Sequence, residues 1–148
     1  MRLALTLARR AADKGEVPIG CVVVHQGKTI SRAANSVECR RDATRHAEMV
    51  AIRTAARKLK NWRLTGCAIY VTKEPCPMCA AALALARVDK IVFGVADPEM
   101  GACGSKLDLV TEGTLRARID VVSGVLEHEC RALLQDFFRL RRKSGRLK

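Results

Sequence analysis

A chain of 148 residues is the size of one domain, long enough to bury about 68–70% of its extended-chain surface in a single core. Lysine and arginine outnumber aspartate and glutamate by 27 to 15, and the resulting formal charge of +12 points to a polyanion, most often nucleic acid, as partner. No apolar run approaches the roughly 20 residues that cross a membrane, Arg9, Arg10 and Asp13 break any signal-peptide pattern, and an aromatic content of 3% argues against a broad base-stacking surface.

Seven cysteines, an odd number without a secretory signal, argue for free thiols and metal ligands in a reducing compartment, so a cytoplasmic location is expected.

Leu3, Leu7, Ala8, Ala11 and Ala12 recur at helical spacing, with Arg2, Arg9, Arg10 and Lys14 falling mostly elsewhere on the turn, which predicts an amphipathic helix ending at Gly15. Met1 lies inside that pattern with no cap before it, which leaves room for a natural start further upstream. Pro18 opens an apolar strand from Ile19 to Val24, and Gln26-Gly27 turns the chain into a second strand, Lys28 to Ala34, making a hairpin. Asn35 to Thr44 reads as a polar loop leading to His46, with side chains expected along the approach to it.

A helix is expected from His46 through Leu59, with Thr44 as its cap. Asn61 to Gly66 turns the chain into a buried strand, Cys67 to Thr72. An alanine-rich helix from Cys76 through Ala86 and a strand from Lys90 to Val95 then complete a parallel crossover, expected to be right-handed. A glycine-bearing loop from Gly94 to Gly104, a short segment near Leu107 to Val110, a last strand from Ile119 to Val122 and an amphipathic helix from Leu126 finish the chain. The expected architecture is α/β, a three-layer α/β/α sandwich around a five-stranded mixed sheet, in one domain spanning 1–148 with a basic C-terminal tail over 139–148.

Two stretches carry the chemistry: His46-Ala47-Glu48 and Pro75-Cys76-Pro77-Met78-Cys79. Proline is favoured at the first helical position, so Cys76 is expected as N-cap and Cys79 in the first turn, where the helix end favours thiolates. Residues two apart on a helix face nearly opposite ways, so His46 and Glu48 share a site only if His46 sits at the helix entry. One imidazole and two thiolates are three ligands for a catalytic zinc with an open fourth position. Zinc brings the pKa of a water to about 7, and a non-ligating Glu48 is suited to carry its proton to a ring nitrogen and then to a leaving amine, which is hydrolytic deamination.

Two blander readings compete, a Cys-x-x-Cys redox pair and half of a structural zinc site. A zinc ribbon needs a second pair, whereas Cys21, Cys39, Cys67, Cys103 and Cys130 are isolated, and a redox motif has no use for His-x-Glu. The joint pattern favours catalysis.

These motifs resemble the cytidine deaminase-like superfamily. Glu16 to Gly20, Asn35, Phe93 to Asp97 with Gly101 to Ser105, and Asp136 to Arg139 with the basic tail narrow the likeness to the bacterial tRNA-specific adenosine deaminases, over almost the whole chain. The resemblance implies conversion of the wobble adenosine of a tRNA anticodon stem-loop to inosine by a homodimer. It carries over His46, Cys76 and Cys79 as zinc ligands, Glu48 as proton shuttle and Asn35 as a partner of the target base, a residue that reads alone as a turn residue closing the second strand. Ala80, Ala81, Ala82, Ala84 and Ala86 give the Cys76 helix a small-residue surface for a dimer contact or, more ordinarily, for packing on the sheet.

Ala43, Arg45, Lys73 and the run Leu115-Arg116-Ala117-Arg118 depart from the family pattern and bear on the RNA-facing loop rather than on the chemistry; Lys73 stands where an apolar residue is usual. A free-base or nucleoside deaminase of guanine or cytosine type would use the same centre without needing the charge. A non-catalytic, zinc-stabilised RNA-binding module would have no use for Glu48.

Overall fold

The computed structural model describes residues 1–111, 115 and 118–145. Five strands form one sheet in the order β2-β1-β3-β4-β5. The hairpin β1 (Gly20–His25) and β2 (Lys28–Ala34) turns on Gln26 and Gly27, both at positive φ (48° and 73°), the backbone that a two-residue hairpin turn needs. β1 runs antiparallel to β3 (Cys67–Lys73); β3, β4 (Lys90–Val95) and β5 (Asp120–Val122) run parallel. The mixed sheet is therefore an antiparallel hairpin joined to a parallel half, as expected from the strand, helix, strand spacing.

Five helices cover it: α1 (Arg2–Ala12), α2 (Val37–Arg40), α3 (Ala47–Leu59), α4 (Pro77–Leu85) and α5 (Glu127–Lys143). α1 and α5 touch each other and the sheet, and α3 packs on β1 and β2 beside α4, so the sheet is covered on both sides. The main core joins Val23, Ile69, Val71 and Ile91 of the sheet to Ala47, Ala51, Ala55, Ala80 and Leu83 of α3 and α4. Small alanines there let both helices lie close to the strands.

Two local expectations are corrected. The stretch Asn35 to Thr44 is not all loop: it holds α2, closed by Arg41 in the left-handed region at φ 51°. Thr44 does not cap α3, because Asp42 takes both its N–H (2.8 Å) and its hydroxyl (2.6 Å), and His46 is the N-cap instead. The alanines of α4 divide: Ala80, Ala84 and Ala86 are buried in the core and Ala81 and Ala82 half-buried.

Of the basic tail, Arg139 to Lys143 are the last turns of α5, where Arg141 donates to the Gly15 carbonyl (3.1 Å) and Arg139 pairs with Asp136 (2.8 Å). Arg146 and Lys148, like Arg116 and Ala117, lie outside the described residues. No described helix is long and apolar enough to cross a membrane.

Candidate metal centre

Two helices begin at one point beyond the carboxyl end of β3. Cys76 is the N-cap of α4 with an extended backbone (φ −70°, ψ 171°) and Pro77 at the first helical position, which puts Cys79 in the first turn. His46 is the N-cap of α3, also extended (φ −61°, ψ 148°), and Glu48 follows within that helix's first turn. The extended backbone at His46 breaks the helical phase, so residues 46 and 48 need not point apart.

The geometry fits a zinc ion. His46 Nδ1 lies 3.6 Å from the Cys76 sulfur and 3.6 Å from the Cys79 sulfur, and all three donor atoms fall within 4.8 Å of one another. Tetrahedral Zn–S and Zn–N bonds of about 2.3 and 2.0 Å set their ligand atoms about 3.6 Å apart.

The electrostatics agree with that donor set. The hydrogen bond from Cys79 brings the Cys76 thiol down to about 4, against the opposing effect of burial. Its proton-holding partner Cys79 is pushed up, by Cys76 and by burial. Two thiols forced to share protons are a pair that a divalent cation relieves. The same Cys76 raises His46, partly offset by burial and by the nearby Lys73 charge. Glu48 is 3% exposed, and its Oε2 has no hydrogen-bond partner. Burial raises its carboxyl to about 7, against the opposing pull of His46 and Cys79. A buried acceptor without a donor is costly unless something outside the chain occupies it.

Asn35 closes β2 beside this centre without touching the donor atoms. Its N–H reaches the Ile19 carbonyl (2.9 Å), and the next residue, Ser36, donates to the carbonyl of Arg45 (3.1 Å), immediately before His46. Its side-chain Nδ2 donates to Glu16 Oε2 (3.2 Å). The turn role is thus realised in its position.

Two carboxylates that the sequence reading left without a role hold the walls. Glu16, 1% exposed, accepts from the N–H groups of Glu38 (3.2 Å) and Cys39 (2.8 Å) as well as from Asn35, tying α2 to the start of β1. Glu74, 3% exposed and two residues before Cys76, accepts from the N–H groups of Asp97 (2.8 Å), Cys103 (3.0 Å) and Ser105 (3.1 Å). Gly101 lies so close that a Cβ there would stand 2.3 Å from Glu74 Oε2. Lys73, the departure beside Glu74, pairs with Asp97 at 2.5 Å. An acidic residue placed directly against a proline-cysteine turn was the available signal for Glu74.

Comparison with known proteins places the chain in a family. The sequence matches the MafB19-like deaminase family over residues 1–142. It is 48% identical to the tRNA-specific adenosine deaminase of Bacillus subtilis, across 97% of this chain and 89% of that protein. A structure from a study of A-to-I editing by tRNA:A34 deaminases at the wobble position superposes with a TM-score of 0.87 at 42% identity, covering 90% of this chain and 97% of that one. The guanine deaminase of Nitrosomonas europaea shares the fold more distantly, with a TM-score of 0.78 and 27% identity over 90% of this chain and 80% of that one.

Proposed function

The chain belongs to the MafB19-like deaminases and, among them, to the tRNA-specific adenosine deaminases, and from this premise we propose that it converts the wobble adenosine of a tRNA anticodon loop to inosine, consuming water and releasing ammonia. The observation that carries this reading is the meeting of His46 Nδ1, the Cys76 and Cys79 sulfurs and the buried Glu48 carboxyl, one oxygen of it unpartnered, at the starts of two helices.

His46, Cys76 and Cys79 would hold zinc, which when bound supplies a Lewis acid able to make water nucleophilic near neutral pH. Glu48 moves the protons. Buried beside the three donors, it is suited to take a proton from the attacking water and give it to the ring nitrogen, then to take the second proton from the hydroxyl now on the purine carbon and give it to the departing amine, leaving a carbonyl and ammonia. Asn35 binds the target base at the rim, with Glu16 anchoring its amide nitrogen. The base reaches this depth by leaving the stack, which costs less in a single-stranded loop than in a duplex.

The formal charge of +12 supports an RNA substrate over a free base, although the likeness to a guanine deaminase shows that the same fold also serves small purines. A homodimer is supported by the far end of α4. There Trp62 (56% exposed) and Leu85 (65% exposed) flank an open cavity of about 1060 Å³ whose lining mixes Ala84, Val88 and Ile119 with Arg87, Asp89 and Arg118, a surface suited to a second copy. A cytoplasmic location follows from a tRNA substrate.

A mass-spectrometric assay of the zinc-loaded protein against an anticodon stem-loop with a wobble adenosine, beside free adenosine, cytosine, cytidine and guanine, tests the reading. Inosine in the stem-loop alone supports it; turnover of a free base with none on RNA would refute the substrate assignment and leave the centre standing.

A further inference from the structure

We infer that Lys73 sets how readily the site admits an anionic RNA, by neutralising Asp97 at its mouth; the inference rests on the RNA reading above. Lys73 ends β3 and lies in parallel register with Val95, which ends β4. Three residues beyond Lys73 is Cys76, and two beyond Val95 is Asp97. Both side chains therefore belong to the carboxyl edge of the parallel strands, the edge at which α/β sheets bind their ligands.

Asp97 is fixed on every side. Its N–H donates to Glu74 Oε2 (2.8 Å), its carbonyl accepts from the Gly101 N–H (2.8 Å), and its Oδ1 accepts from the Glu99 N–H (3.2 Å). The remaining oxygen, Oδ2, meets the Lys73 ammonium at 2.5 Å, and Lys73 is its only ion-pair partner among the described residues. Turning the carboxylate away would break the bond from the Glu99 N–H, on a backbone that Glu74 and Gly101 already fix. The side chains are 32% and 11% exposed, so water screens the pair only in part. Without the ammonium, a fixed negative charge would face the path of incoming phosphates, and like charges brought together there oppose association. The lysine that departs from the family pattern thus has its partner in the site wall.

Lys73 is accordingly a positioning residue that acts through Asp97 and not on the reacting atoms. The test is a cycle of four zinc-loaded proteins: unsubstituted, Lys73→Met, Asp97→Asn and the double variant. Each is assayed for stem-loop affinity by fluorescence anisotropy at two salt concentrations and for kcat and KM by inosine formation, with zinc content and melting temperature as controls. Lys73→Met should raise Kd and KM on the order of fivefold while kcat stays within about twofold, as for a charge at the rim of an interface. The effect should shrink at high salt and vanish in the Asp97→Asn background.

An undiminished effect of Lys73→Met in that background would mean that the ammonium contacts RNA directly, and would overturn the inference, as would an unchanged Kd. Should Lys73→Met fail to fold, Lys73→Gln takes its place in the cycle under the same criteria. An unsubstituted enzyme that neither binds nor deaminates the stem-loop would overturn both this inference and the substrate reading; one that does both while the cycle shows no coupling would overturn this inference alone.

Discussion

His46 Nδ1 stands 3.6 Å from the Cys76 sulfur, and each residue is the N-cap of its own helix. The cap sets each ligand's backbone, and the positive end of the dipole favours the Cys76 thiolate and the neutral His46 imidazole, the forms that bind a metal. Metal binding should therefore stabilise the fold. At free zinc a thousandfold above Kd the gain is about 4.1 kcal/mol, and for a chain of this size that raises the melting temperature on the order of 10 °C. Chelation followed by differential scanning calorimetry measures it, and Cys79→Ser should abolish both the shift and the bound zinc.

Glu48→Gln should keep zinc content and melting temperature near those of the parent, because the amide fits the space and carries no burial-penalised charge. Its kcat should fall by about 10²–10⁴, the range of a lost general acid–base group. Metal analysis beside single-turnover kinetics reads both. Loss of zinc from this variant would move Glu48 into the ligand set.

Glu16 offers a pH test away from the metal. Burial alone would raise its carboxyl, and the N–H groups of Cys39 and Glu38 more than reverse that, so its folded pKa lies below the ordinary 4.5. A depressed pKa contributes stability that is fully present above the unfolded value and is lost as pH falls through the folded one. Glu16→Gln sets an amide nitrogen against backbone donors, and should cost about 1–3 kcal/mol at pH 7. Urea titrations of parent and variant at pH 7 and pH 3.5 should show that gap narrowing at the lower pH; a constant gap would mean that the carboxylate charge is not what α2 and Asn35 depend on.

The loop held by Glu74 should be intolerant of small changes. Gly101→Ala puts a Cβ 2.3 Å from a carboxylate that already accepts three backbone N–H groups. Overpacking of this kind costs about 1–3 kcal/mol, and the displaced loop should also slow hydrogen–deuterium exchange less at the Cys103 and Ser105 amides. Unchanged protection at those two positions would contradict Glu74's role.

How much of this was legible in the sequence depends on the range of the interactions. The hairpin announced itself through the apolar run from Ile19 to Val24 and the Gln26-Gly27 turn, and the Cys76 cap through Pro77, because both signals are local. The four-residue α2 has too few positions to show a period. Thr44 is a good cap by type, but Asp42, two residues earlier, competes for its N–H and hydroxyl and wins. Glu74 showed only its place beside Pro75-Cys76, and neither it nor Glu16 showed its partners, because these are mostly backbone N–H groups up to 31 residues away, which leave no pattern of side-chain types. Lys73 was legible only as a departure from the family pattern, since its partner Asp97 lies on the loop after the next strand.

Salt dependence separates an RNA enzyme from a small-molecule one. Counterion release makes binding to single-stranded nucleic acid weaken with a logarithmic slope of about −0.7 per phosphate neutralised. KM for a stem-loop should therefore climb steeply between 50 and 200 mM salt, to an extent of about 10-fold or more, while KM for a free nucleoside would stay flat.

If a zinc centre of His46, Cys76 and Cys79 deaminates adenosine in a tRNA loop, activity must leave and return with the metal. The most direct measurement is mass-spectrometric detection of inosine in the anticodon stem-loop with three preparations: zinc-loaded, zinc-stripped and reloaded. Inosine is expected with the first and third and none with the second. Inosine formed equally by the stripped protein, or none by any preparation while a free base is turned over, would contradict it.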